Sequence, residues 1–276
     1  MTAVTLPTSV APPTALTLQA GLFGNEVTKG LRLAWRRRGM VVVGMLLGAL
    51  NYLGISLFIG GGHLVKEMMV LTLPGLLAVV VAQTASIQGS GGIAEEVNGG
   101  TLEQTQLGPA PPQLQVLGRI AALAVEGVAA AALLAVVFAA GFGLDFTWHA
   151  AALVPAVLTL LDALGYGLLI IALTVRVAGI GAITHVFNMV IMIFGGMLVP
   201  VTVFPAGIET FSHFVPTALG VQALNATLAD GSLATPWSDG TLPWLLIHTA
   251  ASLTAGLAIY VRNIRRARRE GGLSPR

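Results

Sequence analysis

Six stretches of about twenty apolar residues run along this chain, each long enough to cross a bilayer as an α-helix. They fall at about Gly39–Ile59, Met68–Gln88, Ile120–Ala140, Ala151–Leu173, Gly179–Val199 and Leu242–Tyr260. In hydrocarbon every backbone polar group must find its partner inside the segment, so such windows read as helices. Pro74 and Pro155 sit near the starts of their windows, where a missing N–H costs least. Composition agrees: only 9% of the 276 residues are charged, against about 25% in a soluble domain. Lipid, not water, has to cover much of this surface. Cysteine is absent, which excludes disulfides, thiolate metal sites and cysteine nucleophiles.

The basic residues give the windows a direction. Lys29, Arg32 and Arg36, Arg37 and Arg38 precede the first, Arg119 opens the third, and Arg176 lies between the fourth and fifth. Arg262, Arg265, Arg266, Arg268, Arg269 and Arg276 follow the sixth. Thirteen of the fourteen therefore fall on one side of a six-span arrangement, with Lys66 alone opposite. The positive-inside rule makes that side cytoplasmic, with both termini there. The arginine runs read as topology anchors meeting anionic headgroups rather than as a nucleic-acid patch. Residues 1–18 are polar, Pro- and Thr-rich and lack the basic start of a signal peptide, so they read as a disordered cytoplasmic lead-in. Residues 19–38 place Phe23, Val27, Leu31 and Trp35 among polar residues, the spacing of an amphipathic helix lying on the inner membrane surface. The expected organisation is one six-helix transmembrane domain over 19–262 and a basic cytoplasmic tail over 263–276. The fold class is all-α membrane protein.

Two connections depart from plain loops. On the cytoplasmic side, Gly89-Ser90-Gly91-Gly92 opens a segment that carries Glu95, Glu96 and Glu103 and no basic residue. Thr101 is placed to cap a short helix, with Glu103 and Gln104 in its first turn, where the dipole favours acid. Pro109, Pro111 and Pro112 then end it. Composition leaves two readings open, a handle for a cytoplasmic protein and a solvated loop. On the outer side, the run from Gly195 through Pro200, Phe204, Pro205 and Pro216 is too apolar for a free loop and too proline-broken for a span. Re-entrant half-helices between spans five and six fit it, acting as an external gate or as a cap on the bundle.

The order Glu96-x-x-x-Gly100-Thr101-Leu102-Glu103-Gln104 before a proline, with Gly195-Gly196…Pro200…Phe204-Pro205…Pro216 after span five, resembles the two signatures of the ABC-2 type transporter permeases. Thr105 and Gln106 stand where that family more often has an apolar pair. The resemblance implies a permease that works with two ATP-binding cassette ATPase subunits and a second permease, identical or homologous. It also implies that the amphipathic helix and the loop holding Glu95 to Pro109 meet the ATPase. ATP and magnesium would then be held by the partner, with no cofactor on this chain.

The residues support that division of labour. A phosphate-binding loop needs a lysine followed by Ser or Thr, whereas Lys29 and Lys66 are followed by Gly30 and Glu67. Ser90, a nominal protease nucleophile, reads as part of a flexible linker. The five histidines lack the i, i+4 spacing of a metal pair, so no metal is expected. Glu126, Asp162, His185 and Asn188 fall inside spans, where polar groups face the bundle or a cavity. They form either a translocation path or polar glue; Glu126 and His185 are expected to meet across spans three and five, and Asp162 to face Asn188 or a partner. The expected function is ATP-driven export of a lipophilic drug, antibiotic or lipid by alternating access. The alternatives are an ATPase-independent secondary transporter and a channel.

Overall fold

A computed structural model describes residues 15–108, 110–177 and 180–270. Helix α1 (Ala15–Arg36) and α2 (Arg38–Ile59) are separated by Arg37 alone. Next come α3 (Lys66–Gln83), a π-helical turn at Thr84–Gln88, and α4 (Gly89–Asn98), which together form one continuous helical stretch of 33 residues. Short α5 (Thr101–Gln106) precedes α6 (Pro112–Phe142), and α7 (Leu153–Thr174) follows a single 3-10 turn. The remaining elements are α8 (Ile180–Phe194), α9 (Ala206–Ser212), α10 (Ala218–Asp230), α11 (Ala234–Ser238) and α12 (Thr241–Glu270).

Among the described residues, five stretches are long and apolar enough to cross a membrane: Arg38–Ile59, Lys66–Asn98, Pro112–Phe142, Ala150–Thr174 and Thr241–Arg269. The fifth sequence window becomes α8, a helix of 15 residues, roughly 22 Å long and short of a full crossing. It stops at Gly195-Gly196, where Gly196 turns to φ 88° and the Gly195 carbonyl accepts the Thr217 hydroxyl.

Helix α7 is the hub. It lies along α12 and also packs on α10, α3, α4 and the π turn. Small residues let these backbones close: a Cβ on Gly167 would strike Ala85, and one on Gly165 would strike Ser252. Helix α2 is different, with Tyr52 its one fully buried side chain, packed edge-on to Phe138 and hydrogen-bonded to Thr72.

Three boundaries differ from the sequence reading. The Gly89–Gly92 run is helix, not a flexible loop, and Ser90 is buried within it. Gly89 has no room for a Cβ, because Ile171 and Leu123 press on it, so close packing explains a glycine that read as part of a flexible linker. The N-terminal helix begins at Ala15 rather than Gln19. It packs lengthwise on α6, with Gly30 against Ala122 and Gly118 against Glu26. The basic tail continues the helix of the sixth window as far as Glu270. Most of the lead-in, residues 1–14, together with residues 271–276 lies outside the described residues.

Candidate functional site

At the arginine-rich end, three elements converge on one carboxylate. Glu96 on α4 accepts from Arg119 of α6 at 2.5 Å and from Lys29 of α1 at 3.5 Å. Both Glu96 and Arg119 are largely buried, whereas Lys29 is nearly half exposed. A sequence stretch without basic residues had left the acid free for a partner; the tertiary fold supplies its cations from elsewhere in the chain. Next to Arg119 in the chain, Gly118 lets α1 approach closely enough to present Lys29.

Below this junction the chain reverses through Gly100, in the left-handed region at φ 66°. Gly100 therefore holds the N-cap position, and Thr101 is the first helical residue, its hydroxyl donating to the Glu96 carbonyl at 3.4 Å. Leu102 is buried, which fixes α5 against the body of the protein. The opposite face presents Thr101, Glu103 and Gln104, followed by Leu107, which is 84% exposed. Glu95 is also exposed, and Pro109 lies outside the described residues. Pro111 and Pro112 start α6, Pro112 at its first turn, where the missing N–H is harmless.

The departure at Gln106 has a physical explanation. Its amide donates to Gln115 at 2.6 Å, while Arg268 donates to its backbone carbonyl at 2.9 Å and its side-chain oxygen at 2.7 Å. Gln115 in turn donates to the Thr105 and Ala110 carbonyls. A polar side chain here joins α5 to the starts of α6 and the end of α12; an apolar pair makes no such link. Helices α1, α4, α5, α6 and α12 are thus tied together at this end.

On α1, Val27 and Leu31 are half-buried, Phe23 is partly exposed, and Trp35 is 70% exposed with the Arg38 guanidinium 5.1 Å from its ring. The helix meets the protein along α6.

The intramembrane polar residues do not form one path. Glu126 is half-buried, and one of its carboxylate oxygens has no partner among the described residues; Arg37, which donates to Gln88 at 3.1 Å, is the charge that acts on it. His185 lies on the exposed face of α8, so the expected contact with Glu126 is not made: α8 packs on α3, α4, α7 and the π turn instead. Asn188 donates to Ser86 at 3.1 Å and to the Thr184 carbonyl at 2.9 Å. The π turn, which widens the helix by one residue, brings Ser86 to this position.

Asp162 faces neither Asn188 nor an open surface. Buried on α7, it accepts the Thr217 backbone N–H at 3.0 Å and lies 2.7 Å from His248 Nδ1 on α12. The His248 ring also hydrogen-bonds the Phe214 backbone. Thr217 itself sits at φ 77°, a conformation that costs a non-glycine residue about 1–3 kcal/mol unless its surroundings impose it. Here the carboxylate holds its N–H, and the Gly195 carbonyl holds its hydroxyl. His248 was one of five scattered histidines in the sequence. Its depth of about two turns from the start of α12, on the same end as Asp162 on α7, was the available signal.

The segment expected as an external gate is a chain of short elements. Pro200 precedes a 3-10 turn at Val201–Val203, and Pro205 caps α9. Phe204 packs on Phe194 with centroids 5.9 Å apart, and Phe211 meets the same ring edge-on at 5.3 Å. Pro216 leads into Thr217 and hence into α10, whose Asn225 donates to the Leu71 carbonyl of α3 at 2.8 Å. This segment is therefore fastened to α3, α7 and α12. Among the described residues, no three His, Asp or Glu side chains converge on a metal-sized site.

Comparison with curated proteins finds no match. The family model described as ABC-2 type transporter matches residues 22–229, from inside α1 almost to the end of α10. The match takes in α1, α4, α5 and α6 at the arginine-rich end and the proline-broken segment at the other, and ends before α12. This chain therefore belongs to the ABC-2 type transporter family, as a membrane-spanning permease.

Proposed function

We propose that the chain is the membrane subunit of an exporter driven by two separate ATP-binding cassette ATPases, paired with a second permease copy or homologue. The arginine-rich end is cytoplasmic in this reading. The observation that carries it is the linkage of α5 to α1, α4, α6 and α12 through Glu96 and Gln106. A push on the exposed face of α5 is thereby delivered to all four of these helices at once. ATP and magnesium stay on the partner, which closes and opens against Thr101, Glu103, Gln104 and Leu107. Alternating access follows when those helices tilt and the segment over 195–217, a re-entrant gate, releases at the outer side. With that segment, α8 completes a sixth crossing.

The cargo is lipophilic. Ile183, Val186, Phe187 and Met189 line an exposed apolar face of α8, suited to such a molecule or to the second permease. The test is copurification with a P-loop ATPase, followed by Leu107→Asp. Loss of the ATPase from the purified variant, with membrane insertion intact, is the expected result; undiminished retention removes α5 as the docking element.

A second reading rests on the Asp162–His248 pair, a titratable couple within the bundle that suits proton-driven transport without an ATPase. Transport that persists when the partner ATPase is catalytically disabled, and that collapses with the proton gradient, selects this alternative.

A further inference from the structure

Helix α12 has two faces. Leu245, Tyr260 and Ile264 are buried on one. On the other, Trp244, Ile247, Ala251 and Ala258 are exposed, and Arg262, Arg265 and Arg269 continue the same line. At 3.6 residues per turn these seven positions fall within about 60° of one another. The arginines thus extend the face that the helix turns away from the protein.

Length sets their depth. From Trp244 to Arg262 the rise is about 27 Å, close to the roughly 30 Å of a bilayer's hydrocarbon core. Trp244 marks one boundary and Arg262 the other. Arg265 lies about 4.5 Å beyond, inside the headgroup layer, and Arg269 about 10 Å beyond, at or past its edge. An open groove of about 470 Å³ runs along this stretch, with Ala258 and Val261 at its apolar end and Arg262, Arg265, Arg266 and Arg269 below. Apolar walls above guanidinium groups match the junction where acyl chains meet a phosphodiester, which arginine binds through paired N–H donors.

The helix end is also held rigid. Ile264 and Ala267 are buried, and Arg268 is turned inward onto Gln106. The outer arginines are therefore presented by a fixed helix rather than by a loose tail.

We propose that Arg262 and Arg265, with Arg269 at the margin, form a binding site for the headgroup phosphate of an anionic phospholipid. The proposal rests on α12 being a span and not on the choice of energy source.

Native mass spectrometry of the full chain released from vesicles of phosphatidylcholine with phosphatidylglycerol tests it. Wild-type protein retains phosphatidylglycerol in preference to phosphatidylcholine. Arg262→Gln and Arg265→Gln each weaken retention about fivefold, the double variant about 25-fold, and Arg269→Gln less. Arg176→Gln, on a different connection, changes nothing. Equal retention by the double variant overturns the proposal. So does displacement of the lipid by millimolar inorganic phosphate, which marks a small-anion site, or loss of a dimer mass in the double variant, which marks an interface between copies. Thermal midpoints in pure phosphatidylcholine monitor folding, and either single variant carries the same contrast should the double variant fail to fold.

Discussion

Glu96 and Asp162 are both carboxylates held by groups from distant parts of the chain, yet they differ in what replacement does. Glu96 sits between a largely buried Arg119 and a more exposed Lys29. Its loss falls between the about 0–1 kcal/mol of an exposed pair and the about 3–5 kcal/mol of a broken buried one. Glu96→Gln is therefore expected to lower the thermal midpoint of the purified chain more than Glu103→Gln, on the exposed face of α5, which instead lowers ATPase retention. Equal midpoints for the two would remove the clamp. Asp162→Asn keeps an acceptor for the Thr217 N–H, while Asp162→Ala strands that donor in a buried site at a cost of about 1–3 kcal/mol. A midpoint for Asp162→Ala well below that of Asp162→Asn is expected; coincident values would mean that Thr217 does not need the carboxylate. Glu96, Glu103 and Asp162 were all legible in the sequence as unusual charges. Their partners were not, because Lys29, Arg119, His248 and Thr217 stand 67, 23, 86 and 55 residues away from the groups they meet.

Among the elements, the long helices were the most legible and the glycines the least. Apolar length identifies a spanning helix because hydrocarbon leaves the backbone no other partner. The same sequence gave no reason to expect a π turn at Thr84–Gln88, since the extra residue is accommodated by α7 and α8 packing against it. Glycine has opposite meanings at different sites. A Cβ on Gly75 would collide with the Gly196 carbonyl, whereas one on Gly44 would meet nothing within 4 Å. Gly75→Ala should cost about 1–3 kcal/mol by forcing α3 away from the 195–197 turn. Gly44→Ala should gain about 0.5–1 kcal/mol of helix preference. Thermal unfolding of the two variants in one detergent checks the contrast, and a tolerated Gly75→Ala would show that the turn yields easily.

For the molecule as a whole, the two ends carry different tasks. One end ties α1, α4, α5, α6 and α12 through ion pairs and amides; the other fastens α9 and α10 through Asp162, Asn225 and edge-on phenylalanines. The absence of cysteine makes their sidedness directly measurable. Single cysteines at Glu95 and Ser232, both exposed, should react with a membrane-impermeant reagent from opposite faces: Ser232→Cys in intact cells, Glu95→Cys only after lysis. Labelling of both in intact cells would overturn the assigned orientation.

The sequence by itself determined that this chain is a bundle of membrane helices, which of its ends is basic, and which two segments break the pattern. Those properties depend on local length, charge and proline placement, and short-range physics is sufficient to fix them. Tertiary structure alone decided that Gly89–Gly92 is helix packed through Gly89 rather than a flexible linker, and that Gln106 is a junction rather than a blemish in an apolar pair. It also decided that Asp162 serves His248 and Thr217 instead of Asn188. Each of these depends on which helix faces come together, and in a bundle of nearly uniform apolar helices that choice is made by close backbone approach and a few polar contacts between residues far apart in the chain.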